Sequence, residues 1–97
     1  MISIIKTDNF QKWLNNVRDR QAIYRITTRL QRVEDGNWGD IKPVGDGVSE
    51  MRIDHGGGYR LYFLQCGNTV VVMLGGGDKS SQSRDIKKAK ELAKDWR

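Results

Sequence analysis

The chain has one cysteine, one histidine and one proline in 97 residues. A lone thiol, Cys66, excludes an internal disulfide and a multi-cysteine metal site, and it fits a reducing compartment. His55, the only imidazole, abuts a glycine turn and reads first as an exposed turn residue, second as a proton carrier. No stretch approaches the ~18 apolar residues of a membrane span. The apolar start, Met1 to Ile5, is too short for a signal peptide, so the expected location is the cytoplasm. Internal repeats and low-complexity tracts are absent. Acidic side chains are the scarcer charge: 12 Asp and Glu against 17 Lys and Arg leave a formal net charge of +5. That balance favours a polyanionic partner without specifying one.

The length allows one domain over residues 1–97, with one core. Ile2, Ile4 and Ile5 predict a short first strand, closed by helix N-caps at Thr7-Asp8-Asn9. Phe10, Trp13, Leu14 and Val17 then mark one face of a helix. A second helix begins after Asp19 and buries Ala22, Ile23, Ile26, Leu30 and Val33, with Gly36 as a left-handed C-cap. The two make a helical hairpin. From Gly36 to Gly47, four glycines and Pro43 read as a loop that folds back through Trp38, Ile41 and Val44. Three strands follow at Val48–His55, Tyr59–Gln65 and Thr69–Leu74, joined at Gly56-Gly57-Gly58 and Gly67-Asn68. Gly75-Gly76-Gly77 reads as a turn. A last helix is capped by Ser80 or Ser81 and carries the stripe Ile86, Ala89, Leu92, Ala93 and Trp96. The fold class is α+β, a small, mainly antiparallel sheet with the N-terminal helical hairpin on one face and a C-terminal helix.

Arginine is unusual within strands, and this meander has two. Side chains alternate faces, so Glu50, Arg52 and Asp54 share one side. A three-residue glycine loop pairs Asp54 with Arg60 and brings Arg60 and Tyr62 to the face of Arg52; a four-residue loop separates them. Two guanidiniums fixed on a sheet make a good phosphate reader. The competing reading is an ordinary cross-strand ion pair on a polar outer face. Lys79 follows the third strand beyond the glycine triplet, where backbone N–H groups could meet a phosphate. Trp13 and Trp96 read as core, Cys66 as structural, and Lys87, Lys88, Lys90 and Lys94 as a solvated helix face.

Taken in order, the blocks Gly47-Val48-Ser49-Glu50-Met51-Arg52-Ile53, Gly58-Tyr59-Arg60-Leu61-Tyr62-Phe63 and Gly76-Gly77-Asp78-Lys79-Ser80-Ser81-Gln82, with Asp85, Ile86 and Ala89, resemble the RelE/ParE superfamily of type II toxins. More narrowly they resemble its addiction module killer subgroup, related to HigB-type toxins. The resemblance implies a microbial-RNase-like fold and toxicity when free. It also implies a cognate antitoxin, a small helix-turn-helix protein encoded adjacently. Many members are ribosome-dependent endoribonucleases that cut mRNA, whereas ParE-like members act on DNA gyrase and cut nothing. For the first activity the resemblance assigns phosphate stabilisation to Arg60, substrate orientation to Arg52 and charge neutralisation to Lys79. Ser80 and Gln82 join these as RNA-binding positions. It implies no cofactor and no metal. RNA-cutting relatives often carry a tyrosine or histidine near the C-terminus, where this chain has Trp96. Tyr62 or His55 then stands in as proton carrier, or the reaction relies on cations alone. A basic RNA- or protein-binding module without toxicity is the reading of another class.

Overall fold

Alternating isoleucines at the N-terminus form strand β1, Ser3–Lys6, in the computed structural model, which describes Met1 to Arg97. Thr7 ends the strand and caps α1, Asp8–Asn15, its hydroxyl accepting from the Phe10 N–H at 3.2 Å. Asp19 caps α2, Arg20–Glu34, through the N–H groups of Gln21 and Ala22. At the other end Gly36 has φ +88°, and its N–H and that of Asn37 close onto Val33 and Arg32. This is the left-handed cap expected there. The buried stripe of α2 is Ala22, Ile26, Leu30 and Val33, and each large apolar side chain in it contributes roughly 1.5–3 kcal/mol by leaving water.

Strands β2, Ile41–Gly45, β3, Val48–Ile53, β4, Tyr59–Cys66, and β5, Val70–Asp78, complete a five-stranded sheet in the order β1-β5-β4-β3-β2. Only the β1–β5 pair is parallel. The fold is thus the expected α+β class with a mostly antiparallel sheet. One core, with Phe10, Ile26, Leu30, Val33, Met51, Leu61, Phe63 and Met73, lies between the helical hairpin and one face. A second lies on the opposite face, where Ala89 and Ala93 of α3, Gln82–Ala93, meet Val48, Tyr62, Leu64, Val72 and Leu74. No helix is long and apolar enough to cross a membrane.

Four expectations are corrected. The Gly36–Gly47 loop contains β2, an edge strand whose Pro43 costs no ladder bond on the open side. Trp96 is 40% exposed rather than core, because a 3₁₀ turn at Lys94–Trp96 ends the helical stripe at Ala93. The cap ahead of α3 is Asp78, which accepts from the Ser80 N–H at 2.8 Å; Ser80 and Ser81 cap nothing. The glycine triplet is not a turn but the end of β5.

Close packing explains that triplet. A Cβ on Gly75 would lie 2.8 Å from Asn9 Nδ2, and one on Gly76 would lie 2.5 Å from the Trp13 ring. On Gly77 it would strike Asp85 and Ser81 at the start of α3. Both helical layers therefore press directly on this backbone. Trp13 itself is held by Phe10 and Tyr59, with ring centroids 5.9 and 6.4 Å away. Overpacking of this kind costs ~1–3 kcal/mol. Gly76→Ala is expected to lower the urea-unfolding free energy by about that amount, and by less in a Trp13→Val background where the ring no longer blocks the Cβ.

Candidate functional site

On the α3 face, side chains run along the strands from apolar to charged. Val48 pairs with Leu64, Glu50 with Tyr62, and Arg52 with Arg60. Helix α3 covers the apolar rows with its small residues, and its first residue, Gln82, reaches only as far as Glu50. The arginine row is left at the rim. The β3–β4 loop is five residues long, Asp54 to Gly58, so Arg60 faces Arg52 and not Asp54. Five and three are both odd, and the two arginines share a face as expected; only the register of the ion pair was wrong.

Glu50 organises this row. It is 1% exposed, and its Oε2 accepts from Arg52 Nε at 2.9 Å while lying 3.7 Å from Arg60 Nε. Its Oε1 accepts from Gln82 Nε2 at 3.1 Å. A buried carboxylate needs such compensation. The hydrogen bond that Arg52 donates to Glu50, together with the Glu50 charge, raises the Arg52 guanidinium above its ordinary range. Arg60 Nε is buried without a hydrogen-bond partner, and Arg60 is 12% exposed where Arg52 is 40%. Two cations face one anion, so the group remains cationic.

Arg52 is fixed through its backbone as well. Its N–H donates to Asp40 O at 3.0 Å and its carbonyl accepts from Arg29 Nη1 at 2.7 Å. The same guanidinium donates to Trp38 O and Asp40 O, binding α2 to the segment ahead of β2. Burial lowers the Arg29 guanidinium below its usual range, against the nearby Asp40 charge. Gly39, at φ +68°, makes room for it; a Cβ there would lie 2.5 Å from Arg29 Nε. The clamp leaves no signal in the sequence, because nothing in a helical arginine's neighbourhood along the chain shows which distant carbonyls it meets.

Asp40, Arg52, Asp54, Tyr59, Arg60 and Lys79 line a cavity of about 290 Å³ together with the glycines of the β3–β4 loop. Three of the expected site residues thus meet, although Lys79 arrives by a different route, at the start of the 3₁₀ turn that follows β5. The other four do not line the cavity. The Ser80 hydroxyl is turned to Asp78 and the Gln82 amide to Glu50. His55 stands 2.9 Å from Asp19 and stacks on Tyr59, with centroids 6.5 Å apart, so it pins the loop to the N-terminus of α2. The Asp19 carboxyl is held below its usual value chiefly by that hydrogen bond, then by the Ala22 N–H. Tyr62 is fully buried and its hydroxyl has no partner. Burial first, then the Glu50 and Asp85 charges, push this phenol up to about 12.

A buried hydroxyl without a partner carries a desolvation cost that phenylalanine removes. Tyr62→Phe is expected to leave thermal stability at neutral pH unchanged or higher. Because the folded value lies above the unfolded value of ~10, the contribution of the neutral phenol is intact below pH ~10 and is lost as pH rises toward 12. Wild-type stability should therefore decline across that interval more steeply than that of Tyr62→Phe, as measured by denaturant unfolding at each pH.

Comparison with known proteins gives two matches. The profile of the phage-derived Gp49-like proteins matches residues 10–96. A protein of Haemophilus influenzae strain KW20 Rd, described as uncharacterized, is 46% identical over 94 residues, covering 97% of this chain and 95% of its own length.

Proposed function

We propose that this chain, which belongs to the Gp49-like family of phage-derived proteins, a RelE-like toxin family of toxin–antitoxin systems, is the toxin of such a pair. Within that family we assign it to the addiction module killer toxins related to HigB. Its activity is ribosome-dependent, metal-independent cleavage of mRNA, and its partner is a small helix-turn-helix antitoxin encoded beside it. The observation that carries this reading is the convergence of Arg52, Arg60 and Lys79 on one cavity.

Cleavage joins the 2′-oxygen to phosphorus and breaks the bond from phosphorus to the 5′-oxygen. One proton leaves the 2′-hydroxyl and one reaches the 5′-oxygen. Between these events extra negative charge builds on the non-bridging oxygens. Arg60 donates to those oxygens from a position fixed by Glu50, and Arg52 orients the same phosphate with the N–H groups that Glu50 leaves free. Lys79 adds charge at the rim. Proton transfer is the thinly supplied step, since Tyr62 is buried and His55 is engaged by Asp19. A translating ribosome that aligns the RNA in line, and adds its own groups, supplies what this cavity lacks.

That same shortage favours a second reading, a ParE-like toxin that acts on DNA gyrase by binding alone. The two differ in what is broken inside arrested cells, transcripts or gyrase-linked DNA.

Arg60→Ala is expected to lower mRNA cleavage in a translating extract by ~100- to 1000-fold, the loss of a donor that contributes ~3 to 4 kcal/mol to the transition state. Arg52 and Gln82 still satisfy Glu50 in that variant, so it should stay folded, with a cost below the ~3–5 kcal/mol of stranding a buried charge. Arg60→Lys should recover only part of the activity, because an ammonium lacks the planar fork. A folded Arg60→Ala that cleaves like wild type would return this residue to a structural ion pair. Growth arrest with intact transcripts and broken DNA would select the gyrase reading.

A further inference from the structure

A larger cavity, about 580 Å³, lies between the outer face of α2 and the β3–β4 loop, lined by Tyr24, Arg25, Thr28, Arg29, Arg32 and Asp54, among others. Its size is in the ~300–1,000 Å³ range of binding pockets. Helical spacing puts Arg25, Arg29 and Arg32 in one row and Tyr24 with Thr28 beside it. Arg29 is committed to the carbonyls of Trp38, Asp40 and Arg52, but the side chains of Arg25 and Arg32 form no ion pair or hydrogen bond. Tyr24 is 71% exposed, the most exposed aromatic side chain of the protein. A largely exposed aromatic ring beside two unpaired guanidiniums contributes little to the core.

Asp54 and Ile53 line this cavity and the phosphate cavity alike, so the two adjoin at the β3–β4 loop. We infer that the α2 groove is a second subsite for single-stranded RNA, taking nucleotides next to the phosphate held by Arg52, Arg60 and Lys79. This deepens the reading above and rests on it. Tyr24 stacks on a base, and Arg25 and Arg32 pair with phosphates. Arg25 and Arg32 are seven positions apart, about 10 Å along the helix, which exceeds the span of one nucleotide. Asp54, the one carboxylate in the groove, stands between the two cavities. It keeps a phosphate from resting there and accepts instead from a base N–H or a 2′-hydroxyl. RNA suits the groove better than an acidic peptide because the peptide would use the arginines and leave the flat face of Tyr24 without a partner.

The test is fluorescence anisotropy with a labelled 2′-O-methyl single-stranded oligonucleotide, which binds but cannot be cut, against wild type, Tyr24→Ala, Tyr24→Phe, Arg25→Ala/Arg32→Ala and Arg60→Ala. Thermal unfolding confirms that each variant is folded. Tyr24→Ala should weaken binding about 5- to 150-fold and Tyr24→Phe should restore it, the pattern of stacking. The double arginine variant should flatten the dependence of log affinity on log salt by roughly 1.4. Loss of affinity in Arg60→Ala alone, with both α2 variants binding like wild type, overturns the groove and leaves the phosphate cavity standing. Loss in the α2 variants alone keeps the groove and removes the phosphate cavity. Wild-type RNA binding by both α2 variants together with failure to bind the antitoxin would make this face a protein surface and also overturn the inference.

Discussion

Glu50 puts a negative charge inside the sheet at 1% exposure, and the positions of the cationic side chains around it follow from that charge. An isolated carboxylate there would be prohibitively desolvated; one answered on both oxygens is tolerable. Arg52 and Gln82 give hydrogen bonds and Arg60 gives a charge 3.7 Å away. The arrangement works in both directions. The guanidiniums compensate the burial of the carboxylate and, with limited freedom left, hold one geometry before any ligand arrives. Their remaining N–H groups are the ones a phosphate would meet, so less rotamer entropy is lost on binding than two free surface arginines would lose.

Other parts of the fold keep that geometry from drifting. Gly75, Gly76 and Gly77 let α1 and α3 close onto β5, which brings Gln82 within reach of Glu50. Arg29 spans α2, the loop before β2 and the carbonyl of Arg52. On the opposite side of the loop, Phe10, Trp13, Tyr59 and His55 form a row of rings that ends at Asp19, the cap of α2. His55 therefore holds the glycine loop to the helical hairpin, which makes it a positioning residue and gives the one histidine of the chain a role that needs no proton transfer.

Much of this was legible in the residues themselves. Caps at Thr7, Asp19 and Gly36 and the stripes of α1 and α2 are local signals, set by neighbours a few positions away, and the structure matches them except that Val17 lies beyond the end of α1 and Ile23 is only half-buried. The shared face of Arg52 and Arg60 also held, because face depends only on whether the loop is odd. Register depends on its length, which three successive glycines leave open, and there the pairing with Asp54 failed. β2 escaped notice because Pro43 and Gly45 imitate a loop, and only its edge position makes them tolerable. The glycine triplet misled in the same way. Glycine marks a turn and a close approach with the same letter, and only the helices packed on it tell the two apart. Glu50 looked like half of a polar outer face because alternation gives the side of a sheet, not whether a helix covers it.

Glu50 can act as an organiser of the arginines or as a mere neutraliser of their charge. Glu50→Gln separates the two roles, because the amide keeps size and some hydrogen bonding while the protein gains one net positive charge. If Glu50 only neutralised, removing its charge would strengthen phosphate binding and cleavage. The measurement is single-turnover mRNA cleavage on translating ribosomes by the folded variant, with circular dichroism and thermal unfolding as the control for structure. An organising Glu50 makes the variant cleave more slowly, with a fall of roughly tenfold or more as the guanidiniums lose their fixed geometry. Cleavage as fast as wild type, or faster, would contradict it.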